Sequence, residues 1–341
     1  MNVTTLTEGD PAVDAFVTAS DEGKICHLPA WSEMVARMMG HRTYYLVARK
    51  GDTVHGVLPL THVRSMLFGN RMVSQAFSNY GGPLTDGPEA LDALYRRAVE
   101  LSRKNGCESI EFRNVEPLEY KLRLRSDKIT MHLSLTEDPD ELWRGFKAKV
   151  RNQVRKAEKS GMVAITGGLD LLDDFYRVYT ARMRQLGTPC YSRNLIRGIL
   201  KVLPKASRIF AVRLDDKIVG AGITTRFRDF VEISLAATLT RFNSLCPSNL
   251  LYWSILKHYC LDGAATFDFG HCTVNSGPHR FKKQWGADEV KLNYQYWIRP
   301  GCELSILSPD SPSYRKRVAM WRRVPLWLTR LLGPVISGSL P

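Results

Sequence analysis

The sequence lacks the cysteine and histidine patterns that mark disulfide-rich and metal-binding proteins. Its seven cysteines are odd in number and scattered, and none form a C-x-x-C pair. This usage argues against a disulfide framework and favours reduced core thiols in a cytoplasm. H-E-x-x-H and other paired His/Cys spacings are also missing. We therefore expect no metal site.

Long apolar runs are missing as well. The most apolar stretch, residues 324–336, is interrupted by two prolines and an arginine, and it is shorter than a membrane-spanning helix requires. The first sixteen residues have no basic start and no apolar core, so we expect no signal peptide. With 44% hydrophobic and 24% charged residues, the composition predicts a globular cytoplasmic protein.

Acidic residues are in deficit. The 34 Asp and Glu residues face 48 Lys and Arg residues, which gives a formal net charge of +14. An excess of this size favours an anionic partner, such as nucleic acid, a phosphorylated substrate or an acidic lipid surface. The length of 341 residues exceeds that of a typical single domain, so we expect two domains.

The chain contains an internal repeat. Residues 47–56 align with residues 211–220, and residues 105–112 align with residues 262–269. Each copy of the first segment is typical of a strand, a tight turn and a returning strand. Each copy of the second is typical of the end of an amphipathic helix, a glycine and a strand. Two matches in the same order predict two related halves with a boundary near residues 121–129.

The second half has further predicted elements. These are a strand at residues 129–135, a helix at 138–160, a strand at 162–165, a helix at 169–186 and a run of strands at 208–238. This order indicates an α+β fold rather than a doubly wound dinucleotide fold. We predict two halves, residues 1–125 and 126–300, each with a mixed, mostly antiparallel sheet flanked by helices. A basic tail, residues 301–341, follows.

The segment most informative about chemistry is residues 267–286. A strand ends near Gly270, a polar loop follows, and a short basic and aromatic helix begins near Pro278. Loops after strand ends often carry reacting groups because the scaffold holds them rigidly. Asp268 is a candidate general base, and Lys282 is a candidate cation for an anionic donor or a developing oxyanion. Structural roles stay open, since a strand Asp often accepts hydrogen bonds and a Lys-Lys pair often lies on a solvated surface.

Several segments of this sequence resemble a known family. They are residues 151–161 (RNQVRKAEKSG), 248–253 (SNLLYW), 267–270 (FDFG), 280–286 (RFKKQWG) and tail segments at 308–314, 321–326 and 332–334. Their order and spacing resemble the FemAB-like branch of the GNAT acyltransferase superfamily, in particular exosortase-associated FemAB-type proteins and the BioF2-like acyltransferase domain. The resemblance covers most of the chain and is densest after residue 129.

The resemblance implies two tandem GNAT-like halves and transfer of an acyl or aminoacyl group to an amine, in cell-envelope or exopolysaccharide biogenesis. It implies an acyl-CoA or aminoacyl-tRNA donor and no bound cofactor. In the peptidoglycan-building relatives, a Phe-Lys pair of the final helix is tied to transfer, and here that pair is Phe281-Lys282. The sequence departs from the family at His271, where Arg is usual, and at Ser254, where an acidic residue is common. These departures leave open an inactive tethering protein at the inner membrane surface.

We expect direct transfer without a covalent enzyme intermediate. The predicted catalytic residues are Lys282, Asp268 and His271, of which the last two are candidates for proton removal. The predicted substrate-binding residues are Phe281, Arg280, Asn249, Tyr252, Arg151, Arg155 and Trp285. The first half, with its loop at residues 80–83, is expected to line the acceptor side.

The donor stays open between aminoacyl-tRNA and acyl-CoA. The sequence has no Q/R-x-x-G-x-G/A loop of the kind that holds the CoA pyrophosphate, because the segment at residues 220–222 lies inside a predicted strand. Five basic residues step by three or four along the 138–160 helix: Arg144, Lys147, Arg151, Arg155 and Lys159. Such a row can contact tRNA phosphates or form a solvated helix face.

The tail is strongly basic and partly apolar. Residues 311–341 contain six Lys or Arg residues and no acidic residue, together with Trp321 and Trp327. This composition, over residues 313–332, is typical of an interfacial helix attracted to anionic cytoplasmic lipid. It is equally typical of a helix packed across the domain interface. Pro325 is expected to bend or split the helix.

Overall fold

In a computed structural model, residues 1–65, 69–125, 127–303 and 312–340 are described. The chain forms two compact units. The first contains Met1–Lys128, Lys291–Leu307 and Gly338–Pro341, and the second contains Ile129–Val290 and Ser308–Ser337.

Strands and helices occur in both units. The strands are β1 (Asn2–Leu6), β2 (Arg42–Lys50), β3 (Thr53–Ser65), β4 (Gly69–Val73), β5 (Leu84–Thr85), β6 (Ser109–Asn114), β7 (Arg123–Arg125), β8 (Lys128–Ser134), β9 (Met162–Gly167), β10 (Ser207–Leu214), β11 (Lys217–Phe227), β12 (Phe230–Thr238), β13 (Thr266–Asp268), β14 (Cys272–Thr273), β15 (Asp288–Lys291) and β16 (Asn293–Ile298). The helices are α1 (Pro11–Ala19), α2 (Pro29–Met39), α3 (Pro88–Lys104), α4 (Pro139–Gly145), α5 (Ala148–Lys159), α6 (Leu172–Leu186), α7 (Arg193–Val202), α8 (Pro247–Leu261), α9 (Gly277–Lys283), α10 (Pro312–Arg323) and α11 (Leu326–Gly338).

Each unit contains one mixed sheet, and the two sheets have corresponding strand orders. The first sheet runs β1-β2-β3-β4-β6-β16-β7, with β5 on β3, and the second runs β9-β10-β11-β12-β13-β8-β14, with β15 on β8. The pairs β4–β6 and β12–β13 are parallel, whereas β2–β3–β4 and β10–β11–β12 are antiparallel. The predicted α+β class with two related halves is confirmed.

The register of the strands reproduces the first sequence repeat. Hairpin β2–β3 turns at Gly51, with φ of 60°, and hairpin β10–β11 turns at Asp215, with φ of 49°. Each hairpin has a register shift directly after Ala48 or Val212. A β-bulge at corresponding positions is a specific structural feature, so the two hairpins are copies of the same unit.

The second repeat is also present in both units. Helix α3 is followed by Asn105 and then Gly106, with φ of 66°, while α8 is followed by Asp262 and then Gly263, with φ of 72°. Glycine is favoured here because the residue after a helix C-cap adopts a left-handed conformation. Strands β6 and β13 come next, and each pairs in parallel with a neighbour in its sheet.

The position of the last strand differs from the predicted division. Residues 126–300 were expected to form one half, but β16 lies in the first sheet, between β6 and β7. In the second sheet, the corresponding position next to β13 is filled by β8. The first sheet is therefore completed by a strand that follows the second half in the chain. Alternating apolar residues indicate a strand but not its hydrogen-bonding neighbour, so the sequence could not assign β16 to a sheet.

The predicted continuous helix at residues 138–160 was wrong. Helix α4 ends at Gly145, Phe146 is extended with ψ of 148°, and α5 begins at Ala148. The guanidinium of Arg151 stabilises the break, because its Nη1 donates to the carbonyl oxygens of Arg144 and Phe146, both at 2.8 Å. Phe146 is buried although it lies in the break, so the apolar spacing of the sequence continues from α4 to α5. For this reason the spacing predicted one continuous helix.

The tail forms two helices, as the proline predicted. Helix α10 ends before Pro325 and α11 begins after it. In α11, the buried residues are Thr329, Gly333 and Ser337. Ser337 Oγ donates to the Cys190 carbonyl oxygen at 2.9 Å, and a Cβ at Gly333 would lie 2.8 Å from Cys190 Sγ. A face of small residues therefore packs α11 on the second unit.

We expect a buried histidine of the first unit, His27, to make the stability of the protein depend on pH. His27 Nδ1 accepts from the Lys24 backbone N–H at 3.0 Å, and Nε2 lies 3.1 Å from the Gly82 carbonyl oxygen, so the neutral ring satisfies both. Burial lowers the pKa of His27 from 6.5 to about 4. The unfolded chain therefore binds the proton more readily than the folded one between these values.

We expect the free energy of unfolding to be largest above about pH 6.5 and to lose about 3 kcal/mol as the pH falls towards 4, because one pKa unit is worth about 1.4 kcal/mol. Urea unfolding at pH 7, 6, 5 and 4 measures this loss. His27→Gln should reduce the loss without abolishing it, since carboxylates titrate in both proteins. An unchanged pH dependence in the variant would show that His27 is not its source.

Candidate functional site

The candidate site lies where two parallel strands of the second unit separate. Strands β12 and β13 are paired only from Phe230 to Glu232, opposite Thr266 to Asp268, while β12 continues to Thr238. The chain leaves β13 through Gly270, whose φ of 73° suits glycine. The loop that follows leads into α9, as the sequence predicted.

Asp268 is fully buried at the end of β13. Its Oδ1 accepts hydrogen bonds from Thr130 Oγ1 and, at 2.8 Å, from the Gly270 backbone N–H. Its Oδ2 lies 3.8 Å from His132 Nε2. These contacts show that the carboxylate holds the turn after the strand, whereas the predicted role as general base stays a prediction.

Lys282 is buried beside the same turn. Its Nζ donates to the carbonyl oxygen of Gly270 at 2.5 Å and to that of His271 at 3.0 Å. Burial lowers the pKa of Lys282, and Cys272, Asp268 and Glu232 oppose this shift. The Lys-Lys pair is therefore not simply a solvated face: Lys283 is exposed, but Lys282 points inward.

His271 and Arg280 present their side chains on the outside of this loop. Both are exposed, and Arg280 Nη1 donates to the Asn275 carbonyl oxygen at 2.7 Å. The backbone carbonyl of His271 is one of the two that Lys282 contacts. Asp268 and Lys282 are thus joined through the backbone of Gly270, and His271 contributes its backbone carbonyl oxygen to the same network.

A cluster of buried and half-buried aromatic side chains packs against α9. Tyr252 stacks on Phe269, with centroids 5.5 Å apart, and its ring meets Phe281 edge-on at 5.1 Å. Trp285 meets Phe146 edge-on at 5.1 Å and is 1% exposed. Burial raises the pKa of Tyr252. The structure places Tyr252 and Trp285 in the core, where they position Phe281 and α9.

The other predicted binding residues lie on α5 and α8. Asn249 is buried, and its Nδ2 donates to Gln153 Oε1 at 3.2 Å, which joins the two helices. Arg155 lies over the Trp143 ring at 5.6 Å, and Arg151 caps α4. The predicted basic row is therefore partly used in intramolecular contacts, while Lys147 and Lys159 are exposed.

The loop at residues 80–83 of the first unit is largely enclosed. Tyr80 is 3% exposed, and Gly82 donates its N–H to the Arg113 carbonyl oxygen at 3.0 Å. A Cβ at Gly82 would clash with Asn114 Oδ1. This glycine therefore serves close packing, and the predicted acceptor-side role of the loop stays a prediction.

Sequence reasoning missed the residues that hold the site together. His279 is buried, its Nδ1 accepts from the Asn275 N–H at 3.0 Å, and its Nε2 donates to Glu289 Oε1 at 2.9 Å. This links the loop before α9 to β15. Thr130 lies on β8, far from Asp268 in the chain. The sequence had no signal for these contacts, because their partners lie on separate strands.

The segment at residues 220–222 is a strand, as predicted. A Cβ at Gly220 would lie 2.9 Å from Thr238 Cγ2, and a Cβ at Gly222 would lie 3.0 Å from Ile233 Cδ1. Close approach of β12 explains both glycines, since a larger side chain would displace it. This segment therefore does not form a loop for a pyrophosphate.

The described residues contain neither a candidate metal site nor a candidate membrane-spanning helix. Within them, no group of three or more His, Cys, Asp or Glu side chains is arranged to hold a metal ion. None of their helices is both long and apolar enough to cross a membrane.

The comparisons with known proteins agree with this fold. Residues 144–283, which contain the β13–α9 turn, match the family described as acetyltransferase (GNAT) domain. Residues 144–283 are therefore similar to a GNAT acetyltransferase domain. No curated protein matches the chain significantly.

Solved structures extend the similarity to both units. FemX, a FemAB-family protein, has a TM-score of 0.69 at 16% identity, covering 86% of this chain and 97% of its own. A tandem GNAT protein from the clavulanic acid biosynthesis pathway has a TM-score of 0.56 at 14% identity, covering 89% and 99%. L-PGS from Bacillus licheniformis has a TM-score of 0.55 at 13% identity, covering 96% of this chain and 98% of its own. The chain has the fold of tandem GNAT proteins.

Proposed function

We propose that this protein is an N-acyltransferase that moves an acyl or aminoacyl group from an activated donor to an amine acceptor. The observation that supports this most strongly is the buried ammonium of Lys282 beside the β13 turn. An ammonium has three N–H donors, and the described contacts use two of them, on Gly270 and His271. The third is available to an oxygen of the substrate.

The proposed reaction is direct. The acceptor amine attacks the ester or thioester carbonyl of the donor, a C–N bond forms, and the C–O or C–S bond to the donor breaks. Lys282 stabilises the negative charge that develops on the carbonyl oxygen. His271, whose side chain is exposed, accepts the proton of the attacking amine, and Asp268 positions the turn. Arg280 and Phe281, on α9, are the proposed substrate contacts.

We favour an aminoacyl-tRNA donor, with acyl-CoA as the second candidate. The glycines at residues 220 and 222 are occupied in strand packing, so they offer no pyrophosphate loop. Lys147 and Lys159 are exposed at the two ends of α5 and can contact phosphates. The proposed setting is the cytoplasmic side of the cell envelope, in envelope or exopolysaccharide biogenesis.

A donor comparison tests the proposal. The protein is mixed with charged tRNA, uncharged tRNA, acetyl-CoA or long-chain acyl-CoA at two salt concentrations, and binding is measured by thermal shift and native mass spectrometry. We expect charged tRNA to stabilise the protein, more at low salt than at high salt, since phosphate contacts release counterions. Selective stabilisation by an acyl-CoA would favour the second candidate.

A double variant links this binding to α5. Lys147→Gln with Lys159→Gln should weaken charged-tRNA binding and reduce its salt slope by about one for each phosphate that is no longer neutralised. Lys201→Gln with Lys205→Gln, which replaces two exposed lysines at the end of α7 and just after it, removes the same charge; this matched control should leave binding unchanged. Equal effects of the α5 variant and the control variant would show that binding depends on net charge and not on α5. If no donor binds, the transferase proposal fails.

A further inference from the structure

Helix α11 has the reverse of the usual amphipathic arrangement. Its inward face consists of Thr329, Gly333 and Ser337. Trp327 and Leu331 precede Thr329 and Gly333 by two positions, which is about 200° around a helix of 3.6 residues per turn. The side chains of Trp327, Leu331 and Val335 therefore point away from the unit on which the helix packs.

The exposure of these apolar residues is large. Trp327 is 68% exposed, Leu331 is 64% exposed and Val335 is 72% exposed, so they form one stripe along α11. Met320 of α10 is 65% exposed. Single exposed apolar residues are ordinary on protein surfaces, but a contiguous stripe marks an interaction site.

Exposed cations precede the stripe. They are Arg315, Lys316, Arg317, Arg322 and Arg323, all on α10. Helices α10 and α11 contain no acidic residue. A stripe of tryptophan and leucine that follows a basic helix in the chain has the chemistry of a segment that lies in the interface of an anionic bilayer.

We propose that the docking face, defined as the exposed residues of α10 and the Trp327–Leu331–Val335 stripe of α11, binds the surface of an anionic phospholipid bilayer. The helix lies in the plane of the membrane, with the stripe among the acyl chains and the cations at the phosphates. A second copy of this chain is a poorer occupant, because pairing of these faces would bring two cationic clusters together. The docking face goes beyond the transferase proposal and does not depend on it.

Vesicle flotation tests the docking face. The full chain is mixed with vesicles of phosphatidylcholine alone, or of phosphatidylcholine and phosphatidylglycerol at a ratio of about 7:3, at low and high salt. We expect binding to the anionic vesicles only, weakened by salt because exposed charges are screened. Arg322→Gln with Arg323→Gln should lower the partition coefficient by roughly thirtyfold, since each basic residue contributes roughly a factor of five.

The apolar stripe is tested separately. Trp327→Ser with Leu331→Ser should reduce partitioning by about tenfold or more, whereas Leu261→Ser should not change it. Leu261 is the matched control, because it is 67% exposed at the end of α8. All variants should keep the wild-type circular dichroism spectrum and donor binding, which separates this result from failure of the transferase proposal.

Four outcomes would overturn the proposal. Equal binding to neutral and anionic vesicles, or none, contradicts a lipid interface built on charge. Wild-type partitioning of the Trp327→Ser, Leu331→Ser double variant contradicts the apolar stripe. If vesicles fail to bind while the stripe variant abolishes a dimer in sedimentation velocity, a second copy occupies the face. If the vesicles fail to bind while the Arg322→Gln, Arg323→Gln double variant weakens tRNA binding, the cations of α10 bind nucleic acid instead.

Discussion

Replacement of Lys282 by Met is expected to lower the turnover number of acyl transfer by about 10²–10³-fold, the usual cost of removing one oxyanion donor. Met retains the length of the buried stem but not the ammonium that contacts Gly270 and His271. Lys283→Met is the matched control. Lys283 is the next residue, is exposed, and pairs with Glu289 at 3.1 Å, so its replacement should change turnover by less than about twofold.

Single-turnover transfer of a labelled acyl group from the donor found by the binding comparison measures this effect. Circular dichroism must show that the Lys282 variant is folded, because two carbonyl oxygens are left without their donor. Lys282→Arg, which keeps the positive charge, provides a second folded variant. Unchanged transfer in the folded Lys282 variant would contradict the catalytic role. An absence of transfer by the wild-type chain, together with an unchanged cellular phenotype of the folded Lys282 variant, would support the alternative of an inactive tether.

Trp285→Ala is expected to lower the free energy of unfolding by about 3–5 kcal/mol, as for other large buried aromatic residues. The ring is 1% exposed and lies between Phe146 and the Tyr252–Phe281 pair. Trp327→Ala is the matched control, because the same side chain is 68% exposed there, and its cost should stay within about 0.5 kcal/mol.

Urea unfolding followed by far-ultraviolet circular dichroism compares the two tryptophan variants. The sequence predicted that Trp285 binds substrate, so donor affinity should be measured as well. Reduced donor affinity of the Trp285 variant without a loss of stability would support the predicted role of Trp285 in substrate binding. Equal stability losses in both variants would contradict the burial difference between them.

The locally encoded parts of the fold could be read from the sequence. The hairpin repeat requires a turn at Gly51 or Asp215 between alternating strands, and the second repeat requires a glycine after a helix. Both signals depend on residues within a few positions of each other. The helix at residues 138–160 was misread because Phe146 keeps the apolar spacing while the backbone becomes extended.

The candidate site was only partly predictable for a related reason. The motif from Phe267 to Trp285 placed Asp268, His271 and Lys282 close together, since they are near one another in the chain. It did not show that Lys282 points inward to the Gly270 carbonyl, because sequence spacing does not define which backbone groups a side chain meets. His279 and Thr130 had no local signal, since their contacts depend on β15 and β8.

The amino-acid sequence was sufficient for the α+β class, the duplication, the position of the candidate turn and the break in the tail at Pro325. Each depends on local conformational preferences and on periodic burial of apolar residues. The sheet that receives β16, the inward direction of Lys282 and the outward direction of Trp327 required the tertiary structure. Strand partners and buried faces are chosen by contacts between distant segments, so they follow from the packing of the whole chain.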